Sequence, residues 1–319
     1  MESKDVAEAV RHAEERIRPY IRETYLEASP CFSEAFGAEV YLKLENLQHT
    51  GSFKVRGALN KILSMPPEQQ ARGVVAASTG NHGAAVAFAC NQVGARGLVF
   101  VPENASPGKV EAVRRLGAEV QTHGPDCADT EVFARHYAEE HSLVYISPYN
   151  DPEVVAGQGT LGVELARQLD NIDAVVVALG GGGLISGVAG YLKSVRSEVR
   201  IIGCSPENSA VMIESVRAGQ ILELESLPTL SDGTAGGVES STITFDLCRD
   251  LVDDYVTVSE EAIVENLRAF MQTHHMMIEG SAAVALAGLR QMADRLAGKK
   301  VVVILCGANI SLDVLKTIC

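Results

Sequence analysis

The feature that most constrains this chain is the alternation of short apolar runs with helical stretches. Residues 40–45 read as a strand, and strand-like runs recur at 73–77, 98–101, 119–122 and 143–146. Helical stretches at 83–93, 107–116 and 130–141 separate them. The second half repeats the pattern, with strands at 174–179, 200–205, 255–258 and 301–305 and helices at 158–168, 185–195, 260–274 and 281–296. Such alternation predicts an α/β fold: two doubly wound, mostly parallel-sheet domains, with a ligand cleft between them at the carboxyl ends of strands. An amphipathic helix over 6–21 precedes a loop through Ser29 and Pro30, and Pro66-Pro67 reads as a break. Only 226–244, rich in Gly, Ser and Thr, resists assignment, and an irregular segment of that length in a compact domain usually serves a function.

At 319 residues the chain is long enough for two domains. Its net charge of -14, with no basic cluster, argues against a nucleic-acid partner, because phosphate-backbone binding draws on Lys and Arg. Seven cysteines, at 31, 90, 127, 204, 248, 306 and 319, show no C-x-x-C spacing, so a reduced, cytoplasmic protein is expected. Residues 1–20 are densely charged and lack the apolar core of a signal peptide. Residues 174–192 carry no charge, but their four consecutive glycines make a poor helix, so no membrane span is expected.

Four motifs carry chemistry. In Gly51-Ser52-Phe53-Lys54-Val55-Arg56-Gly57, Ser52 reads as an N-cap and Lys54 falls in the first turn of a helix marked by Val55, Leu59 and Ile62. The helix dipole there lowers the pKa of an ammonium, which suits a lysine acting as nucleophile or base. A lysine in an amphipathic helix is otherwise an ordinary solvated residue. Ser78-Thr79-Gly80-Asn81-His82-Gly83 joins a strand to a helix and offers hydroxyls, an amide and backbone N–H groups to a carboxylate. The plain alternative is a capped turn with His82 in the core or on the surface. Gly180-Gly181-Gly182-Gly183 also joins strand to helix, and its backbone N–H groups can hold a phosphate. A dinucleotide fingerprint is not met, because Ser186 stands where the third glycine of G-x-G-x-x-G belongs. Cys306-Gly307-Ala308-Asn309 ends the last strand, where Cys306 could equally be a buried small hydrophobe. A lysine, a carboxylate-holding turn and a phosphate cradle together describe pyridoxal phosphate held as a Schiff base beside an amino-acid site.

GSFKVRGA, STGNHG, GGGGLISG and CGAN, in that order and across most of the chain, resemble the serine/threonine dehydratase and serine racemase family of pyridoxal-phosphate enzymes, which have the tryptophan-synthase β-subunit fold. The resemblance implies that Lys54 forms the Schiff base and that Phe53 packs close to it. It implies that Asn81 contacts the ring hydroxyl, that Gly180, Gly181, Gly182 and Gly183 bind the phosphate, and that Cys306 faces the pyridine nitrogen. It places Gly236, Gly237 and Glu279 near the cofactor and assigns the substrate carboxylate to Ser78, Thr79, Gly80, Asn81 and His82. It further implies a small domain, 47–152, closing over the substrate, a large domain of 1–46 and 153–319, and a homodimer.

The activity so implied is loss of water from a β-hydroxy amino acid of the serine/threonine type, with Lys54 taking the Cα proton, to give a 2-oxo acid and ammonia. A thiol at Cys306 is a weak partner for the ring nitrogen, which favours elimination over transamination. Thr79 stands where racemase-type members commonly have serine and dehydratases alanine, so racemisation of serine or hydroxyaspartate with side dehydratase activity is the alternative. Ser205 and Val211 stand at the ligand positions of the magnesium-activated members, so no metal is expected, although Glu207 is nearby. No regulatory C-terminal domain, and hence no isoleucine-type feedback, is expected. A nicotinamide-dependent oxidoreductase and a non-catalytic amino-acid binding protein remain alternatives from other classes.

Overall fold

The computed structural model describes residues 1–318, so Cys319 lies outside the described residues. Its strands are β1 (Leu26–Ala28), β2 (Glu39–Lys43), β3 (Val74–Ala77), β4 (Gly97–Val101), β5 (Glu119–Thr122), β6 (Val144–Tyr145), β7 (Ala174–Ala178), β8 (Arg200–Pro206), β9 (Asp254–Val258) and β10 (Lys300–Ile304). They form a six-stranded sheet in the order β1-β2-β10-β7-β8-β9 and a four-stranded sheet in the order β5-β4-β3-β6. Every pairing is parallel except that of β1 with β2. β7 reads Ala-Val-Val-Val-Ala and is buried throughout, as a parallel strand covered on both faces by helices must be. Together with β10 and β8 it forms the middle of the larger core.

The expected α/β architecture is present, and most elements lie within a few residues of their expected places. Three local readings are corrected. The loop expected around Ser29 and Pro30 is the strand β1 followed by a helix, Pro30–Phe36, whose N-cap Ser29 accepts from the Phe32 N–H. Pro67 does not merely break the chain but starts a helix, Pro67–Arg72, where its missing N–H costs nothing. Ser52 is not the cap of the Lys54 helix. Its backbone is extended, at φ -161° and ψ 162°, and Phe53 takes the N-cap position with no side-chain hydrogen bond. Ser52 instead pairs with Gly307 in an isolated antiparallel bridge. Helices Val211–Ala218, Ile243–Leu251 and Leu312–Ile318 were not anticipated. Residues 226–242 are irregular, as the composition suggested.

Candidate active site

Because β7 and β10 are parallel neighbours, the segments leaving their carboxyl ends, 180–183 and 306–309, emerge side by side. β3 of the other sheet delivers residues 78–81 to the same cleft. Lys54 opens the helix Lys54–Ser64, and the preceding Phe53 N–H donates to the Cys306 carbonyl at 3.1 Å, which ties the lysine to the end of β10.

The Lys54 ammonium donates to the Pro148 carbonyl at 3.0 Å and lies 5.3 Å from the centre of the Phe53 ring. Burial lowers its pKa to about 8, against the opposing pull of Cys306 and Glu279. Loss of hydration is thus the main cause, and the helix dipole acts in the same direction.

Gly80 holds the N-cap of the helix Asn81–Val93 without a side-chain cap, so the amides of Asn81, His82 and Gly83 have no intrahelical acceptor. Ser78, Thr79, Gly80 and Asn81 are half-buried, and the Ser78 hydroxyl accepts from the Gly80 N–H at 3.1 Å. His82 points elsewhere. Its ring nitrogen bonds the Ile146 carbonyl at 2.8 Å, and burial, reinforced by Lys54, drives its pKa down to about 3. It is therefore a neutral core histidine that can offer a carboxylate only its backbone N–H.

The glycine run is shaped by what surrounds it. A Cβ on Gly180 would lie 2.8 Å from the Thr234 backbone, and one on Gly181 would lie 2.5 Å from the Tyr149 ring. Gly182 has φ +87°, and a Cβ there would meet Thr244 and Cys248 at 2.9 Å. The run ends as the uncapped N-terminus of the helix Gly183–Val195. Thr244 Oγ1 donates to the Gly181 carbonyl at 2.7 Å, which keeps that oxygen occupied and leaves the N–H side of the loop for an anion.

Glu279 joins the two halves of the site. It is 2% exposed, and its oxygens accept from Asn81 Nδ2 at 2.9 and 3.0 Å and from the Asn309 N–H at 3.0 Å. Burial lifts its pKa to about 7 despite those donors. Cys306 Sγ lies 3.9 Å from the same carboxylate, and burial, then Glu279, pushes the thiol well above its ordinary range. A cavity of about 120 Å³ opens here, bounded by Glu279, Asn309, Lys109 and Asp232. A larger depression, about 370 Å³, is lined by Glu207, Glu214 and Glu225 and by none of the four motifs.

Not every expected residue joins this constellation. Gly237 is exposed with open space around it, and the Gly236 N–H is taken by Ser209 Oγ at 3.1 Å. Ser205 Oγ donates to the Leu179 carbonyl at 2.6 Å, and Val211 begins a helix. The sequence reading missed the carbonyl of Pro148, the Tyr149 ring under the glycine run, and Asn309, which donates to Asn81 Oδ1 as well as to Glu279 and Thr50. Asn309 was visible in CGAN without a role, whereas nothing in the sequence marks Pro148 or Tyr149.

The residues present fit pyridoxal phosphate. The glycine run forms an uncapped helix N-terminus, and a lysine with a lowered pKa stands in the same cleft. Residues 17–307 match the family described as pyridoxal-phosphate dependent enzyme. The chain belongs to that family. It is 40% identical to an L-threonine ammonia-lyase of Thermotoga maritima over 98% of this chain and 77% of that one. It is 39% identical to the catabolic L-threonine dehydratase of Escherichia coli over 94% and 92%. Among solved structures it resembles threonine deaminase isoform 2 of Solanum lycopersicum, with a TM-score of 0.95, 32% identity and coverage of 100% and 93%. Maize serine racemase gives a TM-score of 0.92 at 33% identity, covering 98% and 95%. This family membership supports the expected pyridoxal-phosphate-dependent ammonia-lyase and removes the nicotinamide enzyme and the non-catalytic binder from the alternatives. No helix among the described residues is long and apolar enough to cross a membrane.

Proposed function

We propose that the chain removes water from a β-hydroxy amino acid of the serine/threonine class, releasing a 2-oxo acid and ammonia, with Lys54 as cofactor anchor and base. The observation that carries this reading is Lys54, whose amine, at a pKa of about 8, is neutral in a useful fraction near physiological pH. When bound, pyridoxal phosphate supplies an electron sink for negative charge developing at the substrate α-carbon. The protein's own share is positioning and proton transfer. The backbone amides of 181–183, at one uncapped helix N-terminus, would hold the phosphate, and those of 81–83, at another, with Ser78 and Thr79 would hold the substrate carboxylate. Asn81, Glu279 and Cys306 form one hydrogen-bonded group, which would face the ring. Lys54, as the base, would take the α-proton of the substrate.

Release of ammonia and oxo acid from serine, threonine, a hydroxyaspartate and phenylserine tests the proposal, and threonine is favoured by the names of the relatives. Absence of release from all four would refute it. Racemisation is the second reading, favoured by the hydroxyl of half-buried Thr79 and by the likeness to maize serine racemase.

We further infer that 47–152 acts as a small domain closing on 1–46 and 153–319, its four-stranded sheet moving while the helix Lys54–Ser64 stays bound to Glu45 and Glu164 through Arg56. Supporting this, the four-stranded sheet lies wholly within 47–152, and Arg135–Glu239 and Lys109–Asp232 pair across the cleft. A cytoplasmic homodimer belongs to the same proposal. The six described cysteines are all free, consistent with a reducing compartment. The exposed Tyr25, Leu47 and Met277 lie on segments hydrogen-bonded to one another, a patch that a second copy could cover.

A further inference from the structure

Four charged side chains, Lys43, Glu45, Arg56 and Glu164, are packed together with no solvent exposure. Arg56 lies two residues beyond Lys54 on the same helix. Its guanidinium forks onto Glu45, with Nε to Oε2 at 2.8 Å and Nη2 to Oε1 at 2.7 Å. Its Nη1 donates to Glu164 Oε1 at 2.8 Å and to Thr160 Oγ1 at 3.1 Å. Lys43 Nζ meets the other oxygen of Glu164 at 2.5 Å. Burial alone would disfavour the Glu164 carboxylate, but Arg56 and Lys43 outweigh it and hold its pKa at about 2. Two acids thus face two bases, and Arg18 Nη2, from a partly exposed side chain, adds a further contact to Glu164 Oε1 at 2.7 Å.

A buried quartet of this kind is costly to desolvate, and apolar side chains of similar volume usually serve stability as well. What it adds is geometry, since a bidentate fork admits one arrangement. That geometry leads to the lysine. Glu45 begins the turn after β2, the next residue, Asn46, donates its N–H to Leu305 O at 3.0 Å, and the following carbonyl, of Cys306, accepts the Phe53 N–H at 3.1 Å. The contacts therefore close a ring from Arg56 through Glu45, Leu305 and Cys306 back to the residue before Lys54. On its other side Arg56 is bound to the helix Pro152–Gln168, which begins four residues after Pro148, the acceptor of the Lys54 ammonium. The two helices touch through backbone, for a Cβ on Gly157 would lie 2.6 Å from the Arg56 carbonyl oxygen.

We propose that Arg56, held by Glu45 and Glu164, is a positioning residue for Lys54, fixing the first turn of its helix so that the amine reaches the reacting carbon in one orientation. This rests on the reading of Lys54 as the cofactor lysine. Its influence on Lys54 is mechanical, since the charges that act on the amine are those of Cys306 and Glu279.

The test uses the cofactor-loaded enzyme with Glu45→Gln, Arg56→Lys and Thr160→Val. Glu45→Gln breaks the fork and leaves a positive charge uncompensated near Lys54. Arg56→Lys keeps the charge without the fork, and Thr160→Val removes the hydrogen bond from Arg56 and its own bond to the Gly157 carbonyl but no charge, so that it folds whether or not the other two do. Melting temperature, cofactor content, the pH midpoint of the borohydride-reducible visible absorption, kcat and KM are measured for each. The expected result is a kcat lowered about tenfold in the first two and about threefold in Thr160→Val, with KM changed less than about threefold. The pH midpoint moves down in Glu45→Gln. Wild-type kcat and midpoint per cofactor-loaded molecule, with only the melting temperature lowered, would overturn the proposal and leave the quartet a structural support. Lys54→Ala serves as the control. If it keeps the borohydride-reducible absorption, the lysine reading itself fails, an outcome distinct from wild-type behaviour of the other variants.

Discussion

Asn81 Nδ2 reaches both oxygens of Glu279, at 2.9 and 3.0 Å, and so links the first turn of the helix Asn81–Val93 to the residue that precedes the helix Gly280–Gln291. The carboxylate in that link is buried, and its pKa is lifted from 4.5 to about 7. Between those two values the folded chain holds a proton that the unfolded chain has released, so this residue's contribution to stability falls as pH rises from about 4.5 to 7. Glu279→Gln has no such titration. The melting temperature of the cofactor-free variant, relative to wild type, should therefore rise between pH 5 and pH 8. A difference that stays constant over that range would contradict the raised pKa.

Lys54 gives the opposite window. Its pKa falls from 10.5 to about 8, so between those values the unfolded chain binds the extra proton and stability rises with pH. The same shift makes the amine reactive earlier. In cofactor-free protein, acylation of Lys54 by an amine reagent, followed by peptide mass spectrometry, should rise through a midpoint near pH 8. A midpoint near 10.5 would show that the amine keeps its water.

The glycine run can be tested apart from turnover. A Cβ on Gly181 would sit 2.5 Å from the Tyr149 ring, an overpacking that costs about 1–3 kcal/mol if the ring has to move. Gly181→Ala should fold yet bind pyridoxal phosphate at least about tenfold more weakly, read by absorption titration. Gly237→Ala meets nothing within 4 Å and should leave affinity unchanged. Equal effects at the two positions would mean that the cradle has been misplaced.

Arg135 and Glu239 pair at 2.7 Å, and Lys109 and Asp232 at 3.2 Å, on partly exposed side chains. Pairs of this kind contribute up to about 1 kcal/mol each and weaken in salt. If they help hold the cleft closed, the double variant Lys109→Ala, Arg135→Ala should raise substrate KM by roughly twofold to fivefold. Raising the salt concentration should raise KM in wild type but barely in the variant. The same salt response in both would remove these pairs from any role in closure.

Much of the fold was legible because its strands are continuous apolar runs that only a covered parallel sheet can bury; β7 and β10 are the plainest cases. The short elements were not. β1 is three residues, none of them buried, and the helix Pro67–Arg72 is too polar to show a buried face. The first turn around Lys54 was located correctly, but its cap was misread, because Ser52 is drawn into a long-range bridge with Gly307 that no local pattern records. His82 sits in a motif suited to ligand binding, yet its ring is claimed by the Ile146 carbonyl, a partner 64 residues away. Pro148 and Tyr149 enter the site through a backbone carbonyl and a packing contact, neither of which leaves a residue-type signature.

The central claim is that Lys54, among the lysines of this chain, carries the cofactor. The direct measurement is to load the purified protein with pyridoxal phosphate, reduce it with borohydride, digest it and map the modified peptide by mass spectrometry. A single phosphopyridoxyl group on Lys54, with loss of visible absorption and of ammonia release, is the predicted result. Stable modification of another lysine with Lys54 unmodified, or no modification in protein that still releases ammonia, would contradict it.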